Sequence, residues 1–354
     1  MALMRNLILV LGELLGLNLL FRCLNADKIR VLMYHGVTTQ GLGAPCWTVL
    51  DRGTFEWQMH YASRRYNVAP VSTVFAGDLS PSGSLRHMVV ITLDDGLENT
   101  YSEVWPILRR LGLSAICFCV PGLSERRAQI WADDVLEFCL TAPSQLLDLG
   151  DLVPGGVTLA GTAAERVMLA GELIGRMKTW PDVKRRELTN RLLADPDTPH
   201  RRLSGIFQLM TIEQIAELAD SAEFDIGLHS DKHPIMSQLS TTEQELEVKS
   251  AMDRLNRHDI RFQPVFAYPN GREQDFNDDS VAVLKKLGFK AAVTTLDGLW
   301  DRNADRFRIR RIAIGAGITK WEFKARLSGF FYFLTGKLEA WRRRRTRRVR
   351  TPRE

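Results

Sequence analysis

The chain predicts an α/β fold: a distorted (β/α) barrel of about seven parallel strands carrying a helical insertion. Three observations lead there. Short, wholly apolar runs take turns with segments of helical spacing, the pattern of strands buried on both faces. Polar and charged residues gather just past the ends of those runs, where barrel enzymes place their chemistry. The 354 residues are 45% hydrophobic and 25% charged, enough for one large domain with a sizeable core.

In order along the chain, IRVLMY (29–34) reads as a buried strand ending at His35-Gly36, and a short segment follows over 64–71. MVVITL (88–93) is a second buried strand, bounded by Asp94-Asp95-Gly96. Tyr101 to Leu111 has helical spacing, with Val104, Ile107, Leu108 and Leu111 on one face and Gly112 as the stop. SAICFCV (114–120) is the next strand, halted by Pro121-Gly122. Between 124 and 210 the pattern changes to long helices over 130–140, 163–177 and 183–193, read as a mostly helical insertion.

Regular alternation then resumes. A helix over 211–219 has Thr211 as its cap and Gln214 three residues on. FDIGL (224–228) is a strand running into His229, and a helix over 241–256 is capped by Thr241 or Thr242. The remaining strands are PVFAYP (264–269), KAAVTT (290–295) and FRIRRIAI (307–314), with a helix over 278–287 between the first two. The expected organisation is an apolar N-terminal helix (1–26), a barrel domain (27–320) with its insertion (124–210), and an amphipathic, Arg-rich tail (321–354).

The net charge of +5 is concentrated: residues 342–354 hold eight Arg and one Glu, +7, leaving −2 on the rest. That distribution excludes a nucleic-acid-binding surface spread over the fold. The apolar stretch Leu7–Phe21 is interrupted by Glu13 and Asn18 and falls short of the roughly 20 residues that span a bilayer. It reads as an interfacial or docked helix, with a signal anchor or a cleaved signal as alternatives. The aromatic cluster before the arginine run fits a monotopic anchor on an anionic leaflet, against a plain docking helix with a solvated tail. Together the ends predict a cytoplasmic protein, peripheral on the inner face of the cell membrane, the alternative being an anchored domain outside. Five cysteines make no complete disulfide framework; Cys117 and Cys119 share one face of a strand and are assigned to a reduced core.

Three segments carry chemistry. In ITLDDGLENTY (91–101), adjacent carboxylates leave a buried strand; burying both would raise one pKa steeply unless a cation is held there. A helix N-cap pair is the competing reading. In IGLHSDKHP (226–234), His229 and His233 are four apart, a common metal-ligand spacing, although exposed polar residues would look the same. In VFAYPNGREQDF (265–276), a strand ends in an Asn270-Gly271 turn able to aim a backbone N–H into a pocket. All three close strands, so all three would meet on one rim.

TLDDG, HSDKHP and FAYPNG, in that order, resemble the polysaccharide deacetylase family, the NodB-homology or family 4 carbohydrate esterases. LMYHGV (32–37) and RIRRI (308–312) resemble its exopolysaccharide-associated branch, which contains poly-N-acetylglucosamine deacetylases. The resemblance covers roughly 29–315. It implies a hydrolase that removes N-acetyl or similar acyl groups from an amino sugar in a polysaccharide or lipid-linked saccharide. It makes Asp94 the general base and Asp95, His229 and His233 the ligands of a divalent metal, usually zinc. Asn270 falls at the oxyanion-binding N–H, and His35 takes the general-acid role that RIRRI, without a histidine, cannot supply. The Arg that often braces the base is replaced by Ala267, leaving Arg310 or Arg311 as substitutes. These departures keep other readings open: a catalytically idle carbohydrate-binding relative, or a deformylase or cyclic-amide hydrolase on the same scaffold.

Overall fold

The computed structural model describes residues 2–76, 86–147, 149–194 and 205–336. The chain opens with two helices, α1 (Ala2–Leu14) and α2 (Leu17–Leu24). β1 (Arg30–Tyr34) follows, then a small parallel pair, β2 (Gly36–Thr38) and β3 (Val49–Asp51), then α3 (Arg52–Arg65) and β4 (Asn67–Val68). Next come β5 (Met88–Leu93), α4 (Trp105–Leu111) and β6 (Ala115–Cys119). The insertion holds α5 (Pro121–Arg126), α6 (Trp131–Thr141), β7 (Gln145–Leu147), β8 (Val157–Leu159), α7 (Ala163–Met177) and α8 (Asp182–Ala194). Alternation resumes with α9 (Ile212–Ala219), β9 (Phe224–Leu228), α10 (Thr241–Arg257), β10 (Val265–Ala267), α11 (Asp278–Lys286), β11 (Ala291–Asp297), β12 (Ile309–Ala313) and α12 (Lys320–Ser328).

Seven parallel strands close into a barrel in the order β1-β12-β11-β10-β9-β6-β5 and back to β1, with β4 added at the start of β5. The expected barrel of about seven strands is therefore what forms. Strand alternation divides the apolar residues in two. Leu32, Val89, Ile91, Ile226 and Phe266 face outward and pack beneath helix residues such as Phe55, Ile107, Ile215, Val248 and Leu284. Val31, Val90, Ile116, Phe118, Val265, Val293 and Ile309 form a separate cluster inside the barrel. Carrying each inner row on by two residues, Val90-Thr92-Asp94 and Val31-Met33-His35, brings polar side chains to the C-terminal rim.

The differences from the sequence reading have local causes. The helix after β5 begins as a π-turn over Thr100–Val104, and only Trp105–Leu111 is α-helical. β6 stops at Cys119, ahead of Pro121-Gly122 as expected, and Pro121 then starts an unforeseen helix, α5, because a proline costs no hydrogen bond in a first helical turn. The cap of α10 is Ser240, whose hydroxyl accepts from Glu243 in a reciprocal capping box, so neither Thr241 nor Thr242 fills that place. The insertion also contains an antiparallel hairpin, β7–β8, too short for its periodicity to show in sequence. Its helices share an apolar cluster of their own, with Val135, Phe138, Leu173, Ile174 and Phe207. Cys117 and Cys119 are buried, unbridged and 3.8 Å apart at sulfur, on one face of β6 as expected.

Candidate active site

The rim of the barrel gathers the motif residues. Tyr34 lies level with Leu93, so His35 and Asp94 follow side by side, tied by the Asp94 N–H donating to the Tyr34 carbonyl at 2.9 Å. The Asp95 N-cap reading fails: Asp95 has φ +74° and caps nothing, and Gly96 follows with φ +74°. A side chain at Gly96 would be strained by that φ and would press on Cys119 at 3.3 Å. The turn is pinned by Asn99, whose side chain accepts from Val37 N–H (3.0 Å) and donates to the Ile206 carbonyl (2.8 Å).

On the opposite side, β9 delivers His229 and the loop after it delivers His233. His229 Nε2 and His233 Nε2 stand 3.4 and 3.6 Å from the same Asp95 oxygen. The three residues are buried, with ligand atoms within 4.8 Å of one another. The other nitrogen of His229 lies 2.7 Å from the Ala267 carbonyl, which fixes the ring with Nε2 turned toward Asp95. Thus Ala267, which stands where the family often has a bracing Arg, orients His229 through its backbone. Ser230 and His233 have φ of +67° and +58°, backbone strain of ~1–3 kcal/mol each for such residues, concentrated in this loop. Asp231 anchors it: fully buried, it accepts from Arg254 Nε at 2.7 Å, while its own N–H donates to Glu247 at 3.0 Å.

Electrostatics separate the roles of the two acids. Burial pushes the Asp94 carboxyl up, but the Arg311 charge and hydrogen bonds outweigh it, and the net shift is downward. Arg311, fully buried on β12, grips both Asp94 oxygens at 2.7 and 2.6 Å and also donates to Thr92 and the Thr294 carbonyl. Of the two candidate substitutes for the missing Arg, Arg311 makes the contact, while Arg310 points outward to the Asp297 carbonyl. Burial also raises the Asp95 pKa, yet its bond to His229 and the charges of His35, His233 and His229 bring it well below the usual range. For His229, burial is outweighed by its bond to Asp95 and the pKa rises; for His233, burial and the His229 charge lower it to about 3. His233 is thus held neutral, as a metal ligand must be.

His35 is half-buried at the rim, close enough for its charge to act on both acids. Asn270 sits three residues past Ala267 with φ +61°, its backbone N–H donating to no acceptor among the described residues. Gly271 continues that turn with φ +63°, and a Cβ there would stand 2.9 Å from the Thr295 nitrogen. Sequence reasoning missed two contributions from the insertion. Asp133 on α6 is buried; desolvation and the charges of Asp95, Asp134 and Glu137 hold its carboxyl well above the ordinary value. Lys178, at the end of α7, is lowered by burial and acts on His233. The only local signal was a pair of acids inside the apolar run of 130–140.

The sequence profile of the polysaccharide deacetylase family matches residues 200–292, the stretch holding HSDKHP and FAYPNG. This bears out the resemblance read from the motifs. A comparison with curated protein sequences returned no match. Among solved structures, the chain is similar to the Streptococcus pyogenes deacetylase PplD in complex with acetate, with a TM-score of 0.55 and 17% identity over 85% of this chain and 99% of that one. It is also similar to IcaB from Ammonifex degensii (TM-score 0.53, 17% identity, 85% and 97% covered). A de-N-acetylase from Aggregatibacter actinomycetemcomitans is a third (0.51, 14%, 84% and 99%). At these identities the likeness is one of fold.

Proposed function

We propose that this chain, a hydrolase of the polysaccharide deacetylase type, is a metal-dependent N-deacetylase of an amino sugar in a polysaccharide or a lipid-linked saccharide. The observation that carries the reading is the convergence of Asp95, His229 and His233 within 4.8 Å, beside an Asp94 that takes no part in the cluster. The donor set fits a divalent ion: two imidazole nitrogens, one of fixed tautomer and one held neutral, and a carboxylate kept ionised. Zinc heads the candidates, and nitrogen and oxygen ligands also suit cobalt or nickel. When bound, the metal supplies Lewis acidity toward the acyl oxygen and the attacking water.

The chain's own residues do the rest. Asp94, ionised and held by Arg311, removes a proton from the attacking water. The Asn270 N–H donates to the oxygen on which negative charge develops. His35, on the same rim, protonates the amine as it leaves, since an amide anion is a very poor leaving group. Arg311 supplies the brace whose apparent absence favoured an idle relative, so the catalytic reading is the stronger one.

The test is an assay of the purified full chain against N-acetylated, polymeric and lipid-linked sugars, with elemental analysis alongside. Acetate release and about one divalent ion per chain are expected, with the ion lost in His229→Ala and His233→Ala. Unchanged metal in both variants would reject the ligand set, and formate in place of acetate would reassign the acyl group.

A further inference from the structure

The N-terminal helices are turned the wrong way for a water-soluble domain. An amphipathic helix normally buries its apolar stripe and exposes its polar side. Here the polar side faces the protein. Asn6 accepts from the Thr319 hydroxyl at 3.2 Å, Arg5 pairs with Glu322 at 2.9 Å, and Glu13 accepts from Lys324 at 2.6 Å. Asn18, buried, donates to Glu13 at 2.6 Å and accepts from Ser328 at 2.9 Å. Among the described side chains of α1, Leu9 is the one apolar residue fully buried in this contact, packed with Phe330 and Phe331. Outward lie Met4, Leu7, Ile8, Leu11, Leu14 and Leu15, spaced three and four apart, with Leu14 and Leu15 each 75% exposed. Leu19, Leu20 and Leu24 extend the stripe along α2.

We propose that this stripe is a docking platform that lies in the surface of an anionic lipid bilayer without crossing it. No single described helix is long and apolar enough to cross a membrane. At 13 residues, α1 is about 20 Å long against a hydrocarbon core of about 30 Å. The two helices are bent by 79°, and straightening them would break the polar contacts to α12. Charge selects the occupant. The helix over 330–336 packs Phe330 and Phe333 in tilted ring contacts on Phe21 of α2. The run of eight Arg begins at residue 342, six residues later, so chain length alone keeps its start within about 20 Å of residue 336. A second copy would bring a second +7 segment to the same face, whereas anionic headgroups neutralise it. The apolar stripe and the adjacent basic run are the two signals that stable interfacial binding needs.

Vesicle co-sedimentation of the purified full chain tests this. Wild type should sediment with phosphatidylglycerol-containing vesicles, and less with phosphatidylcholine alone or at high salt. The triple variant Leu7→Glu, Leu11→Glu, Leu15→Glu should lose partition at least ~100-fold, with circular dichroism and thermal midpoint unchanged because these side chains already face solvent. Leu14→Trp, a milder change, should add emission that shifts to the blue on vesicles, relative to wild type. Truncation after Gly336 should weaken the preference for anionic vesicles and keep the leucine-dependent part. The proposal is overturned if the triple variant binds as wild type does, if the truncation abolishes all binding, or if the added emission of the Leu14→Trp variant does not move. It is equally overturned if light scattering shows a dimer that the triple variant dissolves while vesicle binding persists.

Discussion

The two sides of the catalytic rim are built on opposite principles. On the β5 and β12 side, Asp94 is complete within the protein: a buried Arg311 grips both its oxygens, and Thr92 and the Thr294 carbonyl hold the Arg in turn. On the β9 and β10 side the groups are left wanting. Two imidazoles crowd one Asp95 oxygen, His233 Nδ1 is buried with no partner among the described residues, and three non-glycine residues sit at positive φ. A divalent cation would complete such a cluster of one carboxylate and two imidazoles. On the function proposed above, the satisfied side serves proton transfer and the unsatisfied side holds the cation.

That division can be broken by experiment. The largest expected effect belongs to Asp94→Asn: turnover should fall by roughly 10²–10⁴-fold while metal content stays the same. If the metal is lost as well, the two sides are not separate. Arg311→Met comes next. Removing one partner of a buried pair typically costs ~3–5 kcal/mol, to be read from chemical denaturation. Asp94 has a lowered folded pKa, so its contribution is complete above the unfolded value of about 3.9 and is lost as pH falls through the folded one. The gap between wild type and Arg311→Met should therefore be widest near neutral pH and close in acid; a gap independent of pH would mean that Arg311 works through packing alone.

The smallest effect sharpens the comparison at its edge. His35→Ala should leave metal bound, slow amide hydrolysis by about 10²-fold, and spare an activated aryl ester whose leaving group departs unprotonated. Equal losses on both substrates would make His35 a positioning residue, and no loss on either would remove it from the reaction.

How much of this was legible in the sequence follows from range. Strands such as 88–93 and 224–228 and the cap at Thr211 were readable because each depends on residues within a few positions of itself. Asp95, His229 and His233 were readable as candidates because each lies at the end of such a strand. The Ser240 cap was misplaced by one residue because three consecutive hydroxyl residues compete for it.

The sequence by itself thus determined the order of elements, the number of barrel strands and the chemical groups carried to the rim. Only the tertiary structure decided which groups meet. Arg311 reaches Asp94 across 217 positions because barrel closure sets β1 between β12 and β5. Asp133 and Lys178 act on Asp95 and His233 because the insertion folds back over the rim. The N-terminal stretch read as one apolar helix, interfacial or docked; that it bends into two, and which side faces the barrel, depended on partners more than 300 residues away, at Thr319, Lys324 and Ser328. Periodicity reports that a helix has two faces; the facing surface chooses between them, because burial energy is a property of the pair.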